Sequence, residues 1–170
     1  MQHKLLDMPC FSDNRGRFVK TFNDTAFQDQ GINFRLKESY FSVSAKDVIR
    51  GMHFHLPPHD HDKVVFCPYG AILDVIVDLR SASPEYGKTY SQVLSAENNR
   101  AFFIPRGFAH GFKSLEEGSV TYYLVSGEYV ASADEGIAFD SIGFDWACEN
   151  PVLSDRDRNF LPFAAFRSPF

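Results

Sequence analysis

Most of the chain's side chains suited to proton chemistry at neutral pH fall in two clusters. The first is Arg50-Gly51-Met52-His53-Phe54-His55, followed by Pro57-Pro58-His59-Asp60-His61-Asp62-Lys63; five of the six histidines lie between residues 53 and 110. Residues two apart on a strand share a face, so His53 and His55 point the same way, where they could hold one metal or where one could serve as a base. His59 and His61 follow a Pro-Pro turn and read as solvated loop residues. The second cluster is Ile104-Pro105-Arg106-Gly107-Phe108-Ala109-His110-Gly111-Phe112, in which a Pro-x-Gly turn delivers His110 to the start of an apolar strand. Lys63 abuts Val64-Val65-Phe66, which favours a strand entering the core. Asp74, alternating with Val75 and Val77, should point inward, and because an unpaired buried carboxylate is costly it is expected to pair with Lys63 or His110.

These residues need a scaffold of strands. Of 170 residues 44% are hydrophobic and 23% charged, a globular composition, and 15% are aromatic, which suits pleated surfaces. β-Branched and aromatic runs at residues 17–22, 33–43, 63–67, 71–79, 89–94, 101–104, 119–125 and 137–139 read as strands; residues 24–30 form a short helix capped by Asn23 or Asp24. Many short strands with turns between them predict a single all-β domain over residues 1–170, an antiparallel sandwich or jelly roll with few short helices. Residues 148–170 lack alternation but carry Leu153, Phe160, Leu161, Phe163, Phe166 and Phe170, so they should pack over the barrel or onto a partner subunit. A net charge of -5 without a basic cluster argues against nucleic acid. Three scattered cysteines suggest neither disulfides nor a zinc knuckle. The absence of a signal-like or membrane-spanning apolar run predicts a cytoplasmic location.

The His-x-His and Pro-x-Gly-x-x-His clusters together resemble the paired motifs of the cupin superfamily, in which both histidine positions line a barrel. The glutamate that metal-binding cupins usually place after His-x-His is missing, although His59 could substitute. A larger set of motifs is more specific. Asp13-x-Arg15-Gly16-x-Phe18, Arg50-Gly51-Met52-His53-Phe54, Lys63 ten residues after His53, Asp74 to Arg80 with Ser83-Pro84-x-x-Gly87-Lys88, Pro105-x-Gly107-x-x-His110-Gly111-Phe112 and Leu153-Ser154-x-x-Asp157 occur in that order. Together they resemble the dTDP-4-dehydrorhamnose 3,5-epimerase family over most of the chain.

That resemblance implies a cupin jelly roll and a reaction without metal or organic cofactor: inversion at one or both carbons flanking the keto group of a nucleotide-linked 4-keto-6-deoxy sugar, for deoxysugar and polysaccharide synthesis. His53 matches the family's base and Asp157 its orienting carboxylate. Lys63 and His110 match the positions facing the enolate oxygen, and Tyr123, thirteen residues after His110, matches the acid on the opposite face. Tyr129 matches a second tyrosine near the sugar; Arg15 and Arg50 match the diphosphate-binding arginines, with Phe18 in the first motif. In the family that motif reaches the neighbouring subunit's site on an exchanged N-terminal strand, which implies a homodimer.

The chain departs from the family at Lys20, Glu38, Tyr40, His55 and Arg156, where glutamate, glutamine, asparagine, glutamine and lysine are expected. A cation at residue 20 and a carboxylate at residue 38 would invert part of the pattern offered to a base, so a purine or cytidine nucleotide is expected in place of dTDP. Two alternatives stay open at this level: a metal-dependent cupin enzyme using His53, His55 and His110, and a non-catalytic sugar- or nucleotide-binding cupin.

Overall fold

A computed structural model describes residues 1–170. Twelve strands run in chain order: β1 (Lys4–Asp7), β2 (Cys10–Asp13), β3 (Gly16–Val19), β4 (Glu38–Ser44), β5 (Ile49–His55), β6 (Lys63–Tyr69), β7 (Ala71–Asp78), β8 (Thr89–Ser95), β9 (Arg100–Ile104), β10 (Phe108–Ser114), β11 (Ser119–Val125) and β12 (Asp134–Gly136). Two helices, α1 (Asp24–Asp29) and α2 (Asp155–Arg158), are short. One antiparallel sheet has the order β1-β9-β6-β11-β4 and the other β12-β5-β10-β7-β8, while β2 and β3 form a separate hairpin. The all-β cupin-type jelly roll expected from the strand pattern is what forms.

Three apolar clusters explain why the sheets stay together. Val65, Ile76, Phe102, Ile104, Phe108 and Phe112 meet between the sheets and fill one end of the barrel. Phe27 of α1 joins Ile32, Phe34, Val64, Phe66 and Phe103 over the outer face of the first sheet. The C-terminal stretch covers the outer face of the second, where Leu153, Phe163, Phe166 and Phe170 pack on Met52, Phe54, Val75, Val77 and Trp146. Each fully buried aliphatic or phenyl side chain stabilises by roughly 1.5–3 kcal/mol, so these clusters hold the central strands in place while the edge strands β4 and β8 stay partly exposed.

The strand reading missed β1 and β2, ran three residues past the end of β3, and was displaced in two further places. Residues 33–37 lie outside β4 because Ile32 and Phe34 are buried over the outer face of the first sheet beside Phe27. Residues 137–139 are not a strand: β12 ends at Gly136, and Phe139–Ser141 make a 3-10 turn. The cysteines are all free, and no helix is long and apolar enough to cross a membrane.

Candidate active site

Across the center of the second sheet, β5 and β10 place His53 directly opposite His110. Their register shifts just beyond, between His110 and Phe112, and two glycines make that close crossing possible. A Cβ on Gly51, whose φ is +140°, would lie 2.5 Å from Gly111 Cα, and a Cβ on Gly111 would lie 2.8 Å from the Arg50 carbonyl oxygen. The Arg-Gly-Met-His and His-Gly-Phe spacings are therefore one requirement seen on two strands: a backbone contact that sets two imidazoles side by side.

Each imidazole is backed by a buried carboxylate. His53 Nε2 lies 2.8 Å from Asp157 Oδ1, and Asp157 Oδ2 accepts from the Gly51 amide at 3.3 Å. Asp157 reaches this spot because Val152 bridges Val48 and bonds the backbone at Ile49 and Asp47, after which Ser154 caps α2 by accepting from the Asp157 amide. Burial alone would push the Asp157 carboxyl up, but hydrogen bonds from His53 and Gly51 outweigh it and hold the group below the usual carboxylate range. With Nε2–H donated to Asp157, Nδ1 of His53 is left as the basic atom. His110 Nε2 lies 2.7 Å from Asp74 Oδ2, so Asp74 takes the second of its two expected partners. Burial drives the Asp74 carboxyl up, against the pull of His110 and Lys63.

The facing sheet supplies the rest. Lys63 begins β6, is buried, and has its pKa pushed down to about 8 by loss of solvent, against the pull of the Asp134 and Asp74 charges. Tyr123 on β11 faces inward while Tyr122 packs outward on Phe66. Burial, with Tyr40 and Asp74 nearby, raises the Tyr123 phenol well above its ordinary value, which keeps it protonated at neutral pH. Tyr123 stacks on Tyr40 at 4.8 Å and meets His110 edge-on at 5.9 Å. His53, His55, His61, Lys63, His110, Tyr123, Arg50, Glu38 and Tyr129 line one cavity of about 360 Å³. A basic imidazole on one sheet, with a protonated phenol and an ammonium on the other, suits proton removal and return beside a carbonyl.

A family model described as dTDP-4-dehydrorhamnose 3,5-epimerase matches residues 2–165. A protein of that name from Shigella flexneri is 40% identical over 162 residues, covering 94% of this chain and 90% of its own. The chain belongs to the dTDP-4-dehydrorhamnose 3,5-epimerase family. Among solved structures, the Bacillus anthracis enzyme of that name, with TDP and PPi bound, superposes with a TM-score of 0.92 at 36% identity, covering 94% of this chain and 93% of its own. The Legionella pneumophila dTDP-6-deoxy-D-glucose-3,5-epimerase, in complex with dTDP-4-keto-L-rhamnose, superposes at 0.93 with 31% identity, covering 97% and 89%.

Within this epimerase-family site, some sequence expectations move. His61 is buried at 8% exposure and lines the cavity, because it alternates with Lys63 into β6; only His59 stays in the solvated loop. The period of two shared by His61 and Lys63 was the signal for it. Asp134, which bonds Arg156 at 2.6 Å, and Ser42 also line the cavity, and no local pattern marked them. Arg15 and Phe18 lie on the β2–β3 hairpin, outside this chain's cavity; Arg15 forks onto Asp13 and its side chain is 85% exposed. Lys20 lines a separate groove beside α1. Of the three residues behind the expectation of a purine or cytidine base, two line the cavity and one does not. Glu38 accepts from the Tyr129 amide at 2.9 Å and Tyr40 is stacked on Tyr123, whereas Lys20 lies in the groove beside α1. The metal-dependent alternative lacks a ligand set, since no three His, Cys, Asp or Glu side chains converge to hold an ion.

Proposed function

We propose that this chain is a dTDP-sugar 3,5-epimerase that inverts the two carbons flanking the C4 carbonyl of a dTDP-linked 4-keto-6-deoxyhexose. The observation that carries the reading is the placement of His53, oriented by Asp157 at 2.8 Å, and Tyr123 on opposed sheets across one cavity. His53 Nδ1 takes the proton from the carbon beside the carbonyl, and the C–H electron pair moves into an enolate. Lys63 and His110 face the oxygen on which the charge develops. Tyr123 returns a proton from the other side, the electron pair reforms a C–H bond, and the carbonyl is restored. The imidazolium and phenolate left behind are reset by proton exchange with solvent, and the same cycle serves the second carbon. Nothing is oxidised or reduced.

Arg50 supplies a guanidinium on the cavity wall, bonded only to Ser44 Oγ and the Val43 carbonyl, so its charge is available to a diphosphate. The reading includes a homodimer in which the β2–β3 hairpin carries Arg15 and Phe18 into the neighbour's cavity. Supporting it are the exposure of Phe11 and Phe18 on that hairpin and of Phe41 and Val43 on the edge strand β4.

The test is turnover of the dTDP-linked ketosugar in deuterium oxide, with deuterium located at C3 and C5, and with the GDP-, CDP- and UDP-linked sugars as competitors. The wild type should label both carbons and prefer dTDP. His53→Ala should abolish labelling, whereas Tyr123→Phe should exchange at the first carbon without inverting it. Wild-type turnover by His53→Ala would overturn the assignment.

A further inference from the structure

Two imidazoles in the cavity have no part in the proton transfer. His55 and His61 stand with ring centroids 4.7 Å apart, beside Lys63. His61 Nδ1 lies 2.9 Å from the His59 carbonyl oxygen. A carbonyl only accepts, so Nδ1 carries the proton and Nε2 is a bare acceptor. That Nε2 has no hydrogen-bond partner in the protein and is not sealed from the cavity. The ring is seated against Gly127, where a Cβ would come within 2.6 Å of Nδ1, so backbone on two sides fixes which way Nε2 faces. His55 is less satisfied still, with both ring nitrogens buried and unpartnered. Burial, His61 and Lys63 push its pKa down to about 4, and burial and Lys63 lower His61 as well. Near neutral pH the pair is uncharged.

An uncharged pair offering a fixed acceptor and an uncommitted ring suits a hydroxyl, which both donates and accepts; a phosphate oxygen, which only accepts, would meet the His61 lone pair. Charge agrees, because the Glu38 and Asp134 carboxylates share this wall. The register supplies the direction in which the sugar lies. Glu38, Val125 and Lys63 form one row across the first sheet, whereas Arg50 bonds Ser44 at the other end of β4, six residues away or roughly 20 Å. A diphosphate at Arg50 therefore points the far edge of the sugar, the carbonyl and the carbon beside it, toward His55 and His61.

We infer, resting on the epimerase reading, that His55 and His61 recognise the C3 hydroxyl of the ketosugar and make it a requirement for efficient turnover. His61 Nε2 accepts from that hydroxyl, and His55 turns a ring nitrogen toward it, which relieves a buried polar group that has no partner within the protein.

The test compares the dTDP-linked 4-keto-6-deoxyhexose with its 3-deoxy and 2-deoxy counterparts, reading deuterium exchange at C5, which all three retain. His61→Leu is expected to lower kcat/KM by about tenfold or more on the parent and the 2-deoxy sugar and by less than about threefold on the 3-deoxy sugar. His61→Gln, which keeps an acceptor, should recover part of the loss. Gly127→Ala, which keeps the imidazole but displaces it, should give the same pattern as His61→Leu and guards against a misfolded variant. An equal loss on all three sugars, or a loss spared by removing the C2 hydroxyl, would overturn the inference. Wild-type protein inactive on all three would instead overturn the epimerase reading beneath it.

Discussion

Lys63 carries opposite consequences for activity and for stability. Its ammonium is useful only while charged, and burial brings its pKa to about 8, so kcat/KM should fall as pH rises through that region. Stability runs the other way. Below about pH 8 both folded and unfolded chains hold the proton and the burial penalty is fully present; between there and the unfolded value of about 10.4 the unfolded chain binds more protons, so this group's contribution rises with pH. Lys63→Met is expected to lose the alkaline limb along with roughly 10²–10³ in kcat, and to exceed the wild type in stability by a margin that shrinks above pH 8. Paired pH–rate and denaturation profiles check both, and a limb unchanged in the variant would remove Lys63 from the oxyanion role. At this scale the sequence was legible where chemistry and period coincide: His53, Lys63, His110 and Tyr123 lie on alternating inward positions. It was misread at His61, where a Pro-Pro turn suggesting a solvated loop masked the period of two shared with Lys63.

Elements position these groups more than their own conformations do. α2 is a single turn of Asp155–Arg158, too short to stand alone, and it is held by the Ser154 cap and the Val48–Val152 bridge. Ser154→Ala should cost about 1 kcal/mol through the lost cap, and because the cap sets the angle at which Asp157 meets His53, kcat should drop while KM holds. A lowered Tm with kcat unchanged would mean that Asp157 is placed by His53 and Gly51 alone. Strand content was readable from β-branched and aromatic runs, as in β7 and β11. The errors came where apolar residues serve an outer face: Phe34 looks like strand and instead packs with Ile32 and Phe27. Asp134 had no periodic neighbour to announce it, since β12 is three residues long and meets β5 only through tertiary pairing.

For the whole molecule, the projecting hairpin gives a decisive arrangement to test. If each cavity joins His53 of one chain to Arg15 of its partner, then His53→Ala and Arg15→Ala chains, each nearly inactive alone, should regain activity when co-assembled. Random pairing makes half the dimers mixed, and each mixed dimer has one intact site of two, so about one quarter of wild-type activity is expected. No recovery, with mixed dimers confirmed by mass, would place Arg15 in its own chain's chemistry or outside it. The family resemblance implied this exchange, whereas the separation of Lys20 from the cavity could be seen only once the hairpin was placed relative to α1.

The reach from His53 to Asp157, 104 residues apart in the chain, also has a meaning in time. During synthesis the N-terminal parts of a chain fold first, and every strand of both sheets precedes residue 137. A chain still tethered at its C-terminus can therefore complete its barrel, with the imidazole in place, before the carboxylate that orients it has emerged. In that order the imidazole waits for its carboxylate until the tail arrives.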